Sequence, residues 1–343
     1  MQLTEYIIIG DIIPNNNVHF GNHVMDSFEF ESGRVLKNVN VEYGCSGIPQ
    51  YDEEGNITNA IVFFQTLKGG HSILNNYSQL TEKCDFDKDE YFFIKVSSLG
   101  APDSCSPSST GLNYNFPKYT FKDRINFTRQ FLAEKFNIKR VFGIVGEGLG
   151  GFEVYTWACE YPDEMDFIIV LNSSFKTYGF RYVMVKAAEA IIDSSDEYYH
   201  DEYSIVKSKL LVAITRMMFA GYFSRSIFEE LSVGELDSLM EDYVDEGLFM
   251  DIYDFKFRND CILEFDVSDK LINIEAKALI IGMYDFIFFN PNTDVLPLKN
   301  LIKDSVIAVY SGKKYYYEDE DYTDIGYEIV SFLNKFKEKK ELS

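Results

Sequence analysis

Any chemistry in this chain has to start from residues 141–151, VFGIVGEGLGG. An apolar, strand-like run enters a glycine-rich turn, and a helical stretch continues through Trp157 and Ala158. This is the strand–turn–helix setting of a nucleophile elbow, G-x-S-x-G, which raises a serine hydroxyl above a sheet to attack an acyl carbon. Aligned on Gly146 and Gly150, the serine position is Gly148. Glycine has no side chain, so it cannot make that attack. Glu147 stands one residue before the elbow position, which points it elsewhere. Its expected role is that of a carboxylate near a helix N-terminus, favoured by the macrodipole.

Gly146, Gly148 and Gly151 also spell G-x-G-x-x-G, a dinucleotide fingerprint when it follows a strand. That match arises whenever the serine of G-x-S-x-G-G becomes glycine. A dinucleotide fold wants an acid about 20 residues further on, ending the next strand. Here that strand ends Val170-Leu171-Asn172-Ser173, so nucleotide binding is not expected. Cys105, in DSCSPSS, has no assignable histidine and is expected to be an inert thiol. The run 315–321, YYYEDED, reads as a solvated turn whose acids lack regular ligand spacing, and no metal is expected.

A chain of 343 residues can bury a sizeable core, and its 46% apolar and 25% charged residues are those of an ordinary globular protein. With 30 Phe and 24 Tyr, the core should be built more from rings than from Leu and Ala. A net charge of −23 argues against nucleic acid and anionic membrane as partners, since phosphate binding needs clustered Lys and Arg. Cys45, Cys84, Cys105, Cys159 and Cys261 are odd in number and never form C-x-x-C. That disfavours a disulfide scaffold or zinc site and fits a reducing cytoplasm. No signal peptide or membrane anchor is expected: Ile7-Ile8-Ile9 is interrupted at once by Gly10-Asp11.

The elements that must position the elbow follow from periodicity. Strands are expected at 34–43, 60–64, 91–96, 141–145, 167–171, 277–283 and 305–310, with helices at 121–136, about 150–160 and 324–337. The βαβαβ alternation implies a mostly parallel sheet flanked by helices. Helical periodicity over 177–267 reads as an inserted lid, leaving 1–176 and 268–343 as the core.

With those elements placed, the chain resembles the homoserine O-acetyltransferase family of α/β-hydrolases over most of its length. FESGRVLKNVNVEYGCSG looks like that family's first strands, and FPKYTFKDRI is similar to its FP-x-x-T-x-x-D segment. GGFEVYTWACEYPDEMD is similar to its GG-(helix)-WA-x-x-YP pattern, through Trp157, Ala158, Tyr161 and Pro162. IYDFKFRND and KALIIGMYDFIFF look like the lid exit and the strand bearing the triad acid.

The resemblance implies an α/β-hydrolase fold, and acyl transfer from acyl-CoA to the homoserine hydroxyl through Ser, Asp and His in that chain order. Asp285 fits the acid. His19, His23, His71 and His200 all precede it, so none can take the usual place after it. The family's Gly-His-Asp turn falls on the 315–321 run. The oxyanion-hole loop falls on Gln65–Ser72, where Thr66, Leu67 and His71 are pocket candidates beside Glu147 and Leu149, and a structural role is expected for His71. With nucleophile and base both absent, the ancestral reaction should be lost.

The expected protein is therefore a non-catalytic binding or regulatory homologue with a small-molecule ligand. It needs no cofactor, although acyl-CoA remains a candidate ligand. The alternative is an acyltransferase or hydrolase of altered chemistry using Asp285 or Glu147 as acid/base. Family members resemble dimers built through lid helices. The lid run 210–223 carries apolar residues on more than one face, so a homodimer through that helix is expected.

Overall fold

Five short segments are apolar on both faces, which sorts them into a sheet covered from both sides. The computed structural model describes residues 19–64, 90–199, 205–222, 225–247, 251–284, 286–311 and 325–335. Strands β1 (His19–Glu29), β2 (Val35–Gly47), β3 (Ala60–Phe64), β4 (Phe92–Val96), β5 (Val141–Glu147), β6 (Met165–Leu171), β7 (Lys277–Met283) and β8 (Ser305–Tyr310) form one sheet in the order β1-β2-β4-β3-β5-β6-β7-β8. Pairing from β4 through β8 is parallel, whereas β1–β2 and β2–β4 are antiparallel.

β3 and β4 are buried at every position, and β5, β6 and β7 nearly so. The central strands thus carry the core, and β5, which leads into the elbow, sits in the middle. β1 was not legible as a strand because only Met25 and Phe28 of its eleven residues are buried. The expected strand at 34–43 runs four residues further, to Gly47.

Helix α1 (Phe121–Phe136) opens on a capping box. The Asp123 amide donates to Thr120 Oγ1 at 3.1 Å and the Thr120 amide to Asp123 Oδ2 at 2.9 Å. Asp123 Oδ1 also accepts the Glu31 amide at 2.7 Å, tying the helix start to the turn between β1 and β2. α2 (Leu149–Glu160) buries eleven of its twelve residues, Phe152, Tyr155 and Trp157 among them, beneath α1 and the sheet. Trp157 Nε1 donates to Glu164 at 2.8 Å, the Tyr161 hydroxyl donates to Asn126 at 2.6 Å, and Arg129 lies 3.5 Å over the Tyr161 ring. The T-x-x-D and WA-x-x-YP motifs are thus scaffold rather than chemistry.

Between β6 and β7 the chain makes helices α3 (Gly179–Asp193), α4 (Ile205–Tyr222), α5 (Arg225–Glu230), α6 (Val233–Gly247) and α7 (Ile252–Leu263). Their neck is a short antiparallel bridge, Lys176 against Asp266. Across it the Thr177 amide donates to Phe265 O at 2.8 Å and the Val267 amide to Phe175 O at 2.9 Å.

α4 packs on α3, α6 and α7, burying Leu210, Leu211, Ile214, Met218 and Phe219 within one chain. Met217 is also partly covered, and Phe223 lies outside the described residues. Exposed apolar side chains also sit on α3, at Phe180, Tyr182 and Val183. Among the described residues, no helix is long and apolar enough to cross a membrane.

Candidate active site

The elbow is built by two glycines with different duties. At Gly146 a Cβ would lie 2.4 Å from the Gly150 carbonyl oxygen, so any larger residue would push α2 away from the end of β5. Gly148 has φ 56° and ψ −118°, a conformation that side-chain-bearing residues adopt only under strain. Its amide donates to Leu171 O at 3.1 Å, while its carbonyl accepts the Ser173 hydroxyl at 2.6 Å and the Gly151 amide at 3.1 Å. The turn therefore keeps the sharp geometry of a nucleophile elbow, clamped from the end of β6, with no side chain at its apex.

Glu147 ends β5 in register with Leu171 and is partly buried. Leu149 is buried as the first residue of α2. One turn further on, Glu153 is fully buried against Arg124, Nε to Oε1 at 3.1 Å, and Arg124 Nη1 donates to Leu99 O at 2.8 Å. Burial opposes the Arg124 charge, but Glu153 beside it prevails and raises its pKa.

The next sheet junction fixes the start of the loop after β7. Asn172, at φ 40°, donates its amide to Ile281 O at 2.8 Å and accepts the Met283 amide on Oδ1 at 2.9 Å. The ends of β6 and β7 are thereby locked together directly before Tyr284. Asp285 lies outside the described residues, as do Thr66, Leu67, His71 and the 315–321 run. The site thus brings together Gly148, Glu147 and Leu149 from the predicted set.

A cleft opens between α2, α3, α4, α7 and the loop after β7. It is lined by Leu149, Arg181, Val185, Met218, Phe255, Arg258, Asn259, Ile262, Phe288 and Phe289. Its two arginines were missed from sequence, because single cations in acidic helices read as solvated. Arg181 is only 3% exposed; Nη1 donates to Phe288 O at 2.6 Å, and Nη2 to Lys176 O at 2.5 Å and Asp294 Oδ1 at 3.3 Å. Its Nε is buried with no hydrogen-bond partner. Arg258 lies over the Phe255 ring at 5.7 Å. Burial lowers the pKa of both guanidiniums, with Asp294 opposing it at Arg181 and Tyr119 at Arg258.

Behind α7, Asp254 accepts the Ser108 amide at 2.8 Å and the Ser108 hydroxyl at 2.5 Å, holding the Ser-rich loop against the insertion. Burial raises the Asp254 pKa, and the Ser108 hydrogen bonds pull against it. In the same loop, burial first and Asp254 second push the Cys105 thiol up to about 12, which keeps it protonated and inert. No cluster of metal-ligating side chains occurs among the described residues.

Comparison with known proteins places this geometry. A probable acyltransferase from Methanothermobacter thermautotrophicus is 35% identical over 289 residues, covering 84% of this chain and 89% of that protein. A homoserine O-succinyltransferase from Psychrobacter arcticus is 21% identical over 320 residues, covering 83% of this chain and 68% of its own. An acetylester hydrolase from Corynebacterium glutamicum superposes with a TM-score of 0.76 at 18% identity, covering 93% and 95% of the two chains. At that identity the superposition speaks for the fold alone. No established family profile matches the chain.

Proposed function

Because the chain belongs to the homoserine O-acyltransferase-like family of α/β hydrolases, we propose that it is a member retaining the family's cleft for binding or regulation without triad chemistry. The observation that carries this reading is Gly148, in elbow geometry at φ 56° and ψ −118° with no nucleophile at the apex. The sequence adds that every histidine precedes Asp285, so the position of the general base is also empty. A serine needs its imidazole, and an imidazole without a nucleophile does nothing. We take 177–267 as the lid over this cleft, in keeping with the neck at Lys176 and Asp266.

A second reading keeps enzymatic activity, with Asp285 or Glu147 as acid/base. It is favoured by the acyltransferase name of the 35% identical relative. An assay of acyl-CoA consumption over homoserine and a panel of other hydroxyl acceptors separates the two. The binding reading expects no turnover above background. Turnover abolished by Asp285→Asn overturns it in favour of the second.

The cellular setting we propose is the cytoplasm, and the assembly a homodimer. Its contact would run through the lid helices, including the 210–223 run and the exposed Phe180, Tyr182 and Val183 of α3. Sedimentation of the parent as a dimer and of Val183→Glu as a monomer supports this contact; a monomeric parent rejects it.

A further inference from the structure

Arg181 joins the 177–267 insertion to the core across a boundary that the backbone crosses only at the Lys176–Asp266 neck. The residue lies in the first turn of α3 and is 3% exposed. Its Nη1 donates to Phe288 O at 2.6 Å and its Nη2 pairs with Asp294 Oδ1 at 3.3 Å, while Nη2 also reaches back to Lys176 O at the neck. Phe288 and Asp294 are both carried by the core. Asp294 closes the short helix Pro291–Asp294, and the next residue, Val295, packs with Pro291 against Gly282 of β7. Phe289 meets Phe152 of α2 with ring centroids 6.3 Å apart. The Phe288 ring meets the insertion instead. It lies 5.9 Å from the Phe180 ring of α3, and a Cβ on Gly221 of α4 would come within 2.4 Å of it.

A buried ion pair adds little net stability, because its attraction must first offset the desolvation of both charges. Here the surroundings are also incompletely satisfied. Arg181 Nε, Thr177 Oγ1 at the neck, and Tyr155 Oη, close enough to Asp294 to feel its charge, are buried with no hydrogen-bond partner. Such atoms favour a rearrangement that returns them to water. A contact that fixes geometry at small net gain suits a joint that opens.

We propose that Arg181, Asp294 and the Phe288 carbonyl form a latch, and that the insertion swings about the Lys176–Asp266 neck when the latch releases. The inference rests on the reading of 177–267 as a lid and supplies the joint through which that lid moves. Val185, Phe255 and Ile262 line the cleft from the insertion, and Leu149, Phe288 and Phe289 line it from the core. Release therefore parts the two walls of the cleft.

Native-state hydrogen exchange of the full chain in low urea tests the latch. In the parent, amides of α3 and α7 should exchange through one shared opening, faster and with a smaller urea slope than amides of β5, β6 and β7. Asp294→Asn removes the ion pair from the closed state, and a latch is already broken in the open one. Exchange should therefore quicken by about tenfold or more in α3 and α7, and by the same factor in the central strands. Ser173→Ala is the control, because its bond to Gly148 lies within the core. It should quicken the central strands and leave α3 and α7 as they were. Exchange of α3 and α7 only together with the central strands, in the parent or on Ser173→Ala, overturns the proposal. So does an Asp294→Asn that quickens the strands but not the insertion, because the pair then survives the opening. An Asp294→Asn that changes neither overturns it as well. If that variant does not fold, Arg181→Lys, which keeps the charge and loses the fork, is read by the same comparison. The outcome is separable from the question of catalysis. Acyl transfer to a hydroxyl acceptor removes the non-catalytic reading and leaves the latch standing, and an insertion that opens only with the core removes only the latch.

Discussion

The Ser173 hydroxyl donates to the Gly148 carbonyl at 2.6 Å, so the apex of the elbow is held from the end of the neighbouring strand. The two residues come from successive βα units, and the bond fixes the level of the turn relative to β6. Ser173 is 1% exposed, so its removal leaves a buried carbonyl with one partner fewer. Ser173→Ala should lower stability by about 1–2 kcal/mol, read as a fall in the urea midpoint at unchanged slope. An unchanged midpoint means that water or another donor replaces the hydroxyl.

Restoring the nucleophile alone should not restore acyl transfer. Gly148→Ser supplies a hydroxyl but no imidazole, and an unactivated serine is a poor nucleophile at neutral pH. The same change should cost about 1–3 kcal/mol, since φ 56° with ψ −118° is a strained conformation for serine. Homoserine acetylation by the single variant reveals an unrecognised base, His71 being the first to test. A rise in melting temperature means the turn has relaxed from elbow geometry.

Legibility from sequence divided along physical lines. Helix α1 was read to the residue, because Thr120 and Asp123 form a cap and Asn137 ends the helix in the left-handed region at φ 56°. Strands β3, β7 and β8 were equally clear as short apolar runs. β1 was invisible, because an edge strand with two buried side chains has no apolar signature. The elbow showed itself through glycine spacing. The arginines of the cleft did not: Arg181 matters through Phe288 O and Asp294, partners more than 100 residues away that no local pattern announces.

The buried pair of Arg124 and Glu153 gives a sharper test of how the elbow is supported. Glu153 is fully buried at 3.1 Å from Arg124 Nε, and its other oxygen has no partner. Arg124→Met strands that carboxylate and also frees the Leu99 carbonyl. The expected loss is about 3–5 kcal/mol, whereas the double variant Arg124→Met with Glu153→Leu should lose much less. A double-mutant cycle in urea reads the coupling, and additive losses show that the two charges are already solvated.

Lys95 supplies the pH dependence. It lies in β4 opposite Gly44 and Phe63, and burial holds its pKa down to about 7 from an ordinary 10.5, with Glu42 and then Asp103 opposing. Between pH 7 and 10.5 the unfolded chain keeps a proton that the folded lysine has released. Unfolding then takes up a proton, so stability should rise with pH across that window and be lost as pH falls through the folded value. Lys95→Met removes the burden of burying the ammonium. It should raise stability near pH 6 by up to about 4 kcal/mol and flatten the rise between neutral and alkaline pH. Urea midpoints of parent and variant at pH 6, 8 and 9.5 test both effects. Parallel curves for the two proteins place the ammonium in water and reject the buried, proton-releasing lysine.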